Sequence, residues 1–203
     1  MTIKIAVLDD YADVARHAAN WDVLTDATVI VFNDTLTSQA ELVERLQDFD
    51  VICLMRERTP FSADLIELLP RLRLIVTTGP RNLSIDLDAA TARDITVCGT
   101  QSRKTTTAEL AMLLMLTMSR QFPAEVQAMR EHGWQRGLGR DLNGLDLGLI
   151  GLGNIGAQMT ALGKAFGMSV HAWSPHLSQD RCRELAVTYH PDLKSLMASA
   201  DVV

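Results

Sequence analysis

Residues 145–167 read LDLGLIGLGNIGAQMTALGKAFG, and this stretch decides the fold of the second half of the chain. An apolar run is followed by a glycine-rich turn and a helix-forming run, with Gly151, Gly153 and Gly156 in G-x-G-x-x-G spacing. Glycine spacing alone is a weak signal, but a strand before it and a helix after it are the context in which such a loop binds a dinucleotide. A plain β-turn-α junction is the alternative interpretation.

Each glycine has a distinct role if the loop binds a dinucleotide. Gly151 permits the tight turn, Gly153 lets the backbone approach a pyrophosphate, and Gly156 lets the new helix pack closely on the strand. Asn154 and Ile155 open that helix, whose first N–H groups and positive dipole end attract phosphate. We therefore predict that these five residues bind the cofactor.

The type of cofactor depends on the end of the next predicted strand, SVHAW, at residues 169–173. A carboxylate at this point normally binds the ribose hydroxyls of NAD, but here Ser174 is followed by Pro175 and His176. A serine hydroxyl can hydrogen-bond either cofactor, and a protonated histidine would favour an extra phosphate. We predict that Ser174 contacts the cofactor and that the cofactor is NAD or NADP.

Short apolar runs alternate with helix-forming runs along the first hundred residues. The predicted strands are IKIAVLDD, TVIVF, DVICLM, RLRLIVTTG and ITVCG, without the polar alternation of half-exposed strands. Helices that cover both faces of a parallel sheet produce this pattern, so we predict a doubly wound α/β fold. A second series of strands and helices begins after residue 144 and reaches a last apolar run, DVV, at residues 201–203.

A long helix is predicted between the two series, over residues 106–120. Thr106 and Glu109 have the S/T-x-x-E spacing of a capping box at its start. Residues 110–118 are apolar nearly all round, so we expect this segment to be buried on several sides, in a core or a dimer interface. Its methionines could instead form an adaptable binding face.

The composition is that of an ordinary globular protein, with 203 residues, of which 47% are hydrophobic and 22% charged. A net charge of −6 argues against a nucleic-acid partner. Cys53, Cys98 and Cys182 have no metal-binding spacing, so we expect reduced thiols and no metal site. We interpret the N-terminal residues as the start of a strand and expect no leader, and no apolar run is long enough to cross a bilayer. We expect a cytoplasmic protein with no membrane partner.

Two longer segments resemble one known family. GLDLGLIGLGNIGAQMTALGKAFGMSVHAWS resembles the cofactor loop of the D-isomer-specific 2-hydroxyacid dehydrogenases, which include phosphoglycerate dehydrogenases. LRLIVTTGPRNLSIDLDAATARDITVCGT resembles their substrate loop, and TAEL and HGWQ fall where their interdomain region has similar residues. The resemblance implies two Rossmann-like domains with the active site in their cleft, and hydride transfer between a nicotinamide and a 2-oxo or 2-hydroxy acid. It also implies a homodimer, here through helix 106–120.

The resemblance leads to a specific domain organisation. We expect a flavodoxin-like substrate domain over residues 1–100 and the first half of a dinucleotide-binding Rossmann domain over residues 101–203. The predicted fold class is therefore α/β, with two doubly wound parallel-sheet domains, the second incomplete.

The substrate loop departs from the family pattern G-x-G-x-x-N-[IV]-D. Arg81 replaces a glycine of that pattern and Ser84 replaces its asparagine. Backbone N–H groups of this loop hold the substrate carboxylate in the family, so the resemblance assigns substrate binding to Gly79, Pro80, Arg81 and Asn82. The Arg81 side chain could add a bidentate grip on an anion, or it could extend into solvent.

Arg56 follows the third predicted strand, in the segment MRERTPF. It matches a family position that lines the cleft, and the carboxyl end of a strand is where open α/β sheets bind ligands. A solvated charge cluster with Glu57 and Arg58 is the alternative. We include Arg56 among the predicted substrate-binding residues.

No residue of this chain is predicted to be catalytic. In the family the catalytic arginine, glutamate and histidine lie further along than residue 203, and none of the five histidines present pairs with an obvious acid in a family position. We expect the chain to be part of a longer enzyme, or a truncated version of one. The leading interpretation is an NAD(P)-dependent 2-hydroxyacid oxidoreductase. A non-catalytic NAD(H)-binding interaction module is the alternative, and a degraded product without a stable fold is the third.

Overall fold

The computed structural model describes residues 2–203. The chain divides into two compact units, with the boundary between Ser102 and Arg103. The first unit contains β1 (Ile3–Val7), α1 (Ala15–Ala18), β2 (Ala27–Val31), α2 (Gln39–Leu46), β3 (Val51–Leu54), α3 (Ala63–Glu67), β4 (Leu74–Thr77), α4 (Leu87–Ala92) and β5 (Thr96–Gly99). The second contains α5 (Thr106–Ser119), α6 (Phe122–Arg130), β6 (Asp146–Ile150), α7 (Asn154–Ala165), β7 (Ser169–Trp173), α8 (Gln179–Glu184), β8 (Thr188–Tyr189) and α9 (Leu193–Ser199).

The five strands of the first unit form one parallel sheet in the order β2-β1-β3-β4-β5. This is the flavodoxin-like order, in which the chain reverses its direction of travel between β1 and β3. The strands are buried by helices, and Ile52 and Ile75 have no exposed surface. Phe61, Leu46 and Ile66 complete the core around them.

The second unit contains a smaller parallel sheet in the order β6-β7-β8. Leu147 of β6 forms an additional parallel bridge with Val202, and the N–H of Gly148 donates to the carbonyl oxygen of Val202 over 2.7 Å. Since β7 pairs along one side of β6, Val202 lies on the other side. The strand order therefore reverses at β6, as it does in the middle of a Rossmann sheet.

Helix α7 lies close against this sheet because it carries a glycine at the crossing point. A Cβ atom added to Gly163 would lie 2.8 Å from Cδ2 of Leu147 in β6. Together with the two parallel sheets, this arrangement confirms the predicted fold class of two Rossmann-like units, the second with fewer strands. Within residues 2–203, no helix combines the length and apolar character needed to cross a membrane.

Two helices differ from the sequence-based expectation. The helix-forming run between the first two strands folds only as Ala15–Ala18 followed by a 3-10 turn, because Asp13 has a positive φ of 51° and Ala19 is extended. Helix α6 lies in a segment for which no helix is predicted from the sequence. Gln121, with a φ of 50°, turns the chain between α5 and α6, and Pro123 lies in the first turn of α6.

Helix α5 has the predicted position but differs in its cap and in its burial. No side-chain hydrogen bond caps its first turn, since Thr106 already lies inside the helix, so the predicted capping box is not formed. Met112 and Met115 are buried, whereas Leu113 is 59% exposed and Met118 is 78% exposed. The expectation that residues 110–118 are buried on several sides is therefore wrong for this chain by itself.

Candidate functional sites

The glycine-rich loop joins β6 to α7, as the sequence predicts. Gly151 has a φ of 107°, a conformation that an L side chain rarely adopts, so this position requires a glycine for the turn. The N–H of Gly151 donates to the carbonyl oxygen of Trp173 over 2.8 Å, which joins the loop to the end of β7.

Gly153 and Gly156 serve two different purposes. Apart from its immediate chain neighbours, a Cβ atom added to Gly153 would meet no atom of the described residues within 4 Å, so the backbone there faces open space. A Cβ atom added to Gly156 would overlap the carbonyl oxygen of Gly151, so Gly156 allows the helix to start close to the turn. Both observations match the roles of the second and third glycines in a dinucleotide loop.

The backbone N–H groups of residues 152–156 have no hydrogen-bond acceptor among the described residues. Asn154 and Ile155 begin α7, and both are exposed. Five unpaired N–H groups at the positive end of a twelve-residue helix form an anion-binding arrangement. A cavity of about 650 Å³ adjoins them, lined by Gly148, Leu149, Ile150, Gly151, Gly153, Asn154, Ile155, Gly156, Met159 and Val203. The residues present therefore fit a dinucleotide phosphate.

Ser174 follows Trp173, the residue whose carbonyl binds Gly151. Its own carbonyl accepts a hydrogen bond from the N–H of Leu177 over 3.2 Å, and its hydroxyl has no partner among the described residues. His176 is exposed in the same turn. Ser174 thus lies at the carboxyl end of β7, directly after the residue that holds the glycine loop.

The predicted substrate loop follows β4 in the first unit. Gly79 has a φ of 100°, its N–H donates to Oγ1 of Thr100 over 2.9 Å, and its carbonyl accepts from the N–H of Thr100 over 2.9 Å. Gly79 is therefore fully bonded within the protein. Its role is to turn the chain, while Pro80 and Arg81 beyond it are exposed.

The Asn82 side chain is a buried link between two loops. Its Nδ2 donates to the carbonyl oxygen of Arg56 over 2.7 Å and to Oγ1 of Thr77 over 3.1 Å. Its Oδ1 accepts from the N–H of Ser84 over 3.0 Å and from the hydroxyl of Ser84 over 2.6 Å. Every polar atom of this side chain is engaged within the protein, so only the backbone of Asn82 is available to a ligand.

Arg56 lies on the other side of that link, in the loop after β3. Its φ is 57°, its N–H donates to Oγ1 of Thr78 over 2.9 Å, and its guanidinium covers Gly79. Its Nε is 3.5 Å from a carboxylate oxygen of Glu57, in an exposed ion pair. The structure therefore brings Arg56, Gly79 and Asn82 together at the carboxyl edge of the sheet.

The backbone of this loop also presents unpaired donors. The N–H groups of Arg81, Asn82 and Leu83 have no acceptor among the described residues. The Arg81 side chain is exposed, and its guanidinium forms no ion pair with any of the described residues. Successive N–H groups with arginines beside them can hold a carboxylate.

Two histidines of the second unit form a cluster that was not predicted from the sequence. Nε2 of His171 is 3.1 Å from Oδ1 of Asp146, and Nδ1 of His171 is 3.0 Å from Nε2 of His190. Nδ1 of His190 is in turn 3.2 Å from the hydroxyl of Ser195. Asp146 is the first residue of β6, whereas the glycine loop follows its last residue, so the cluster does not lie beside that loop. No short-range spacing in the sequence predicts this cluster, because most of its members are far apart along the chain.

No group of three or more histidine, cysteine, aspartate or glutamate side chains comes together in a metal-binding arrangement within residues 2–203. Cys53, Cys98 and Cys182 are all free thiols. Burial raises the pKa of the Cys53 thiol to about 11, so this half-buried cysteine stays a protonated, unreactive thiol near neutral pH.

Comparison with known proteins points to one family. Residues 112–203 match the family described as D-isomer specific 2-hydroxyacid dehydrogenase, NAD binding domain. The chain is 32% identical to the D-3-phosphoglycerate dehydrogenase of Methanocaldococcus jannaschii, over 82% of this chain and 32% of that protein. It is 30% identical to the rat (Rattus norvegicus) D-3-phosphoglycerate dehydrogenase, over 93% of this chain and 35% of that protein.

A solved structure gives the same result. The phosphoglycerate oxidoreductase of Vibrio cholerae superposes on the chain with a TM-score of 0.90 and 36% identity, over 98% of this chain and 65% of that one. By contrast, the chain spans only about a third of the length of the two D-3-phosphoglycerate dehydrogenases named above. On the matching profile, the shared sequence and the shared fold, the chain belongs to the D-isomer specific 2-hydroxyacid dehydrogenase family.

Proposed function

We propose that this chain supplies the cofactor loop and the substrate-anchoring loop of an oxidoreductase that transfers a hydride between a nicotinamide and a 2-hydroxy or 2-oxo acid. The observation that carries this proposal is the row of unpaired N–H groups at residues 152–156, located where the strand order reverses at β6. Open α/β sheets bind dinucleotides at such a reversal.

The proposed cofactor site uses the backbone more than side chains. The N–H groups of the Gly151–Gly156 loop bind the pyrophosphate of NAD or NADP, and the α7 dipole adds to the attraction. Gly153 lets the phosphates approach, and Ser174 contacts the adenosine ribose. When bound, the nicotinamide supplies or accepts the hydride.

The proposed substrate site lies in the first unit. The N–H groups of residues 81–83 receive the carboxylate of the acid, while Arg56 and Arg81 contribute positive charge around it. A carboxylate oxygen of Glu57 lies 3.5 Å from Nε of Arg56, in an exposed ion pair at the edge of this site. Asn82 acts as a positioning residue, because it binds the loop to Arg56 through its side chain.

Binding and orientation are the contributions that we assign to residues 2–203. A proton must also be exchanged at the substrate oxygen, and we assign no residue of this chain to that step. The His171–Asp146 pair has the chemistry of an acid–base pair, but it lies at the start of β6, away from the loop that follows its end. This location favours a second candidate for the 203-residue chain by itself, a module that binds NAD(H) without turnover.

The exposed apolar face of α5 supports a homodimer. Leu110, Leu113, Leu114 and Met118 are each more than half exposed. A contiguous apolar helix face of this kind is typical of an interface, and a second copy of the chain is the partner that we propose. We also propose that the protein acts in the cytoplasm on a small acid and binds neither nucleic acid nor membranes; the free thiols and the net charge of −6 support this.

The test is a comparison of binding with turnover. NADH and NADPH binding is measured by isothermal titration calorimetry on the 203-residue chain, and turnover is measured with D-3-phosphoglycerate and NAD⁺ or NADP⁺, and with glyoxylate, pyruvate or hydroxypyruvate and the reduced cofactors. Binding together with turnover supports the enzyme. Binding without turnover by this chain supports the NAD(H)-binding module, and absence of binding by either cofactor contradicts both.

A further inference from the structure

We propose that the chain selects NADPH over NADH, and that Ser174 and His176 are the residues that determine this specificity by receiving the 2′-phosphate. The inference rests on the proposed cofactor site and goes beyond it, because the family profile and the glycine loop accommodate either nucleotide.

The position of Ser174 relative to the glycine loop is well defined. Ile150 and Trp173 are partners in the register of β6 and β7, and the carbonyl of Trp173 accepts the N–H of Gly151. The residue after Trp173 therefore occupies the place from which an acidic side chain binds the 2′- and 3′-hydroxyls of NAD. Residues 174–178 are Ser-Pro-His-Leu-Ser, and no carboxylate occurs among them.

The nearest acids in the chain are engaged elsewhere. Oδ1 of Asp180 accepts from Arg183 over 2.6 Å, and a carboxylate oxygen of Glu184 accepts from Arg181 over 2.9 Å. After β8, Asp192 accepts the N–H of Ser195 over 2.7 Å at the start of α9. The segment therefore presents no unpaired carboxylate that would grip the ribose hydroxyls of NADH.

The polar side chains that remain in the turn after β7, Ser174 and His176, can donate hydrogen bonds. The Ser174 hydroxyl has no partner among the described residues, and the exposed His176 ring follows it in a turn closed by the Leu177 N–H on the Ser174 carbonyl. A phosphate accepts hydrogen bonds from both kinds of group, whereas an acid at this place would repel it. The 2′-phosphate therefore gains contacts here and meets no opposing charge.

The experiment measures nucleotide preference by calorimetry on the 203-residue chain. NADPH is compared with NADH, and 2′,5′-ADP is compared with 5′-AMP, a pair that differs only in the 2′-phosphate. We expect the phosphorylated member of each pair to bind about tenfold more tightly, which corresponds to about 1.4 kcal/mol. Ser174→Asp should reverse the preference, and His176→Ala should reduce it.

A charge-matched control separates local from general electrostatics. Ser169 is exposed at the opposite end of β7, so Ser169→Asp adds the same charge far from the loop and should leave the preference unchanged. Tighter binding of NADH by the wild type would overturn the inference while leaving the proposed function intact. Binding of neither nucleotide would overturn both. An unchanged preference in Ser174→Asp would show that the residue assignment is wrong.

Discussion

The backbone N–H of Gly151 donates a 2.8 Å hydrogen bond to the carbonyl oxygen of Trp173. This bond continues the β6–β7 ladder by one residue beyond the last pair of the two strands, Ile150 and Trp173. The glycine loop therefore leaves the sheet with a defined direction, and the turn after β7 starts beside it. One main-chain contact thus places the phosphate-binding and ribose-binding parts of the proposed site together.

Substitution of Gly153 and Gly156 by alanine should separate binding from folding. Gly153→Ala adds a methyl group to open space, so we expect an unchanged melting temperature and at least about a tenfold loss of affinity for the cofactor, about 1.4 kcal/mol. Gly156→Ala drives the methyl group into the Gly151 carbonyl, so we expect a loss of about 1–3 kcal/mol in stability. Thermal melts and calorimetry measure the two quantities. Unaltered NADH and NADPH affinities in Gly153→Ala would argue against pyrophosphate binding at this loop.

Asn82→Ala should destabilise the first unit. The substitution leaves the Arg56 carbonyl and the Ser84 donors without their buried partner, at a cost of about 1–3 kcal/mol. Ser84→Ala removes one hydroxyl bond only and should cost about 0.5–1.5 kcal/mol. Urea denaturation of both variants gives the comparison. Equal stability of Asn82→Ala and wild type would show that the link between the two loops is not a stabilising contact.

Arg56→Gly should raise stability and weaken anion binding at the same time. The left-handed conformation of Arg56 costs an ordinary residue about 1–2 kcal/mol and a glycine nearly nothing, although glycine gains about 0.5–1 kcal/mol of unfolded-state freedom. Ala186→Gly is the matched control, since Ala186 has a φ of 49° at the end of α8 and is exposed.

Both glycine variants should melt at slightly higher temperature than the wild type. Oxalate, a mimic of the 2-oxo acid, is titrated into all three proteins by calorimetry. We expect its affinity for Arg56→Gly to be lower than for the wild type, and its affinity for Ala186→Gly to be unchanged. Equal oxalate affinity in all three proteins would remove Arg56 from the proposed substrate site.

His190 should make the second unit less stable as the pH falls below neutrality. Burial, and after it the neighbouring His171 imidazole, lowers the pKa of His190 from its ordinary value of 6.5, although Asp192 opposes this shift. Between the lowered pKa and about 6.5 the unfolded state binds more protons than the native state, so stability is full above 6.5 and decreases on acidification.

Melting temperatures measured from pH 7.5 to 5.5 test this sign. The wild type should lose more stability over this interval than His190→Gln, which cannot take up the proton. His17→Gln, at an exposed position, should follow the wild type. A parallel decline in all three proteins would assign the pH dependence to other groups.

A charge on the exposed face of α5 should disrupt the proposed homodimer. Leu113 is 59% exposed in the single chain, and Leu113→Glu would place a carboxylate in the apolar interface. We expect sedimentation equilibrium to show a dimer for the wild type and a shift toward monomer for the variant. Gln179→Glu adds the same charge on α8 and should leave the association unchanged. A monomeric wild type at all concentrations would contradict the proposal.

Sequence patterns predicted the sheets well, because strands that are buried on both faces appear in the sequence as continuous apolar runs. Ile52, Leu54 and Ile75 occur in uninterrupted apolar runs, and each is buried in a parallel strand. The glycine loop was equally predictable, since the glycine spacing, the preceding strand and the following helix are all adjacent in the sequence. The reversal of the strand order at β6 was not predicted. The sequence showed only a last apolar run at residues 201–203, and the structure adds the pairing of Val202 with Leu147.

Features that depend on distant residues or on single dihedral angles could not be predicted. Asp13, just before α1, and Gln121, between α5 and α6, adopt positive φ values that limit these helices, although neither residue type requires that conformation. The His171 and Asp146 contact joins residues in different strands, so no spacing rule reveals it. Leu113 looked like a core residue because apolarity does not distinguish an intramolecular core from an exposed face.

The Asn82 link has a consequence for the design of variants in which the proposed substrate loop binds other ligands. Because the buried amide holds the course of the loop from within, the exposed side chains of Arg81 and Leu83 contribute nothing to it, and Leu83 is 89% exposed. A combinatorial library restricted to these two positions would therefore change the side chains presented to the ligand while the loop backbone keeps its conformation. Most of its members should fold, so selection in such a library would act on recognition rather than on stability.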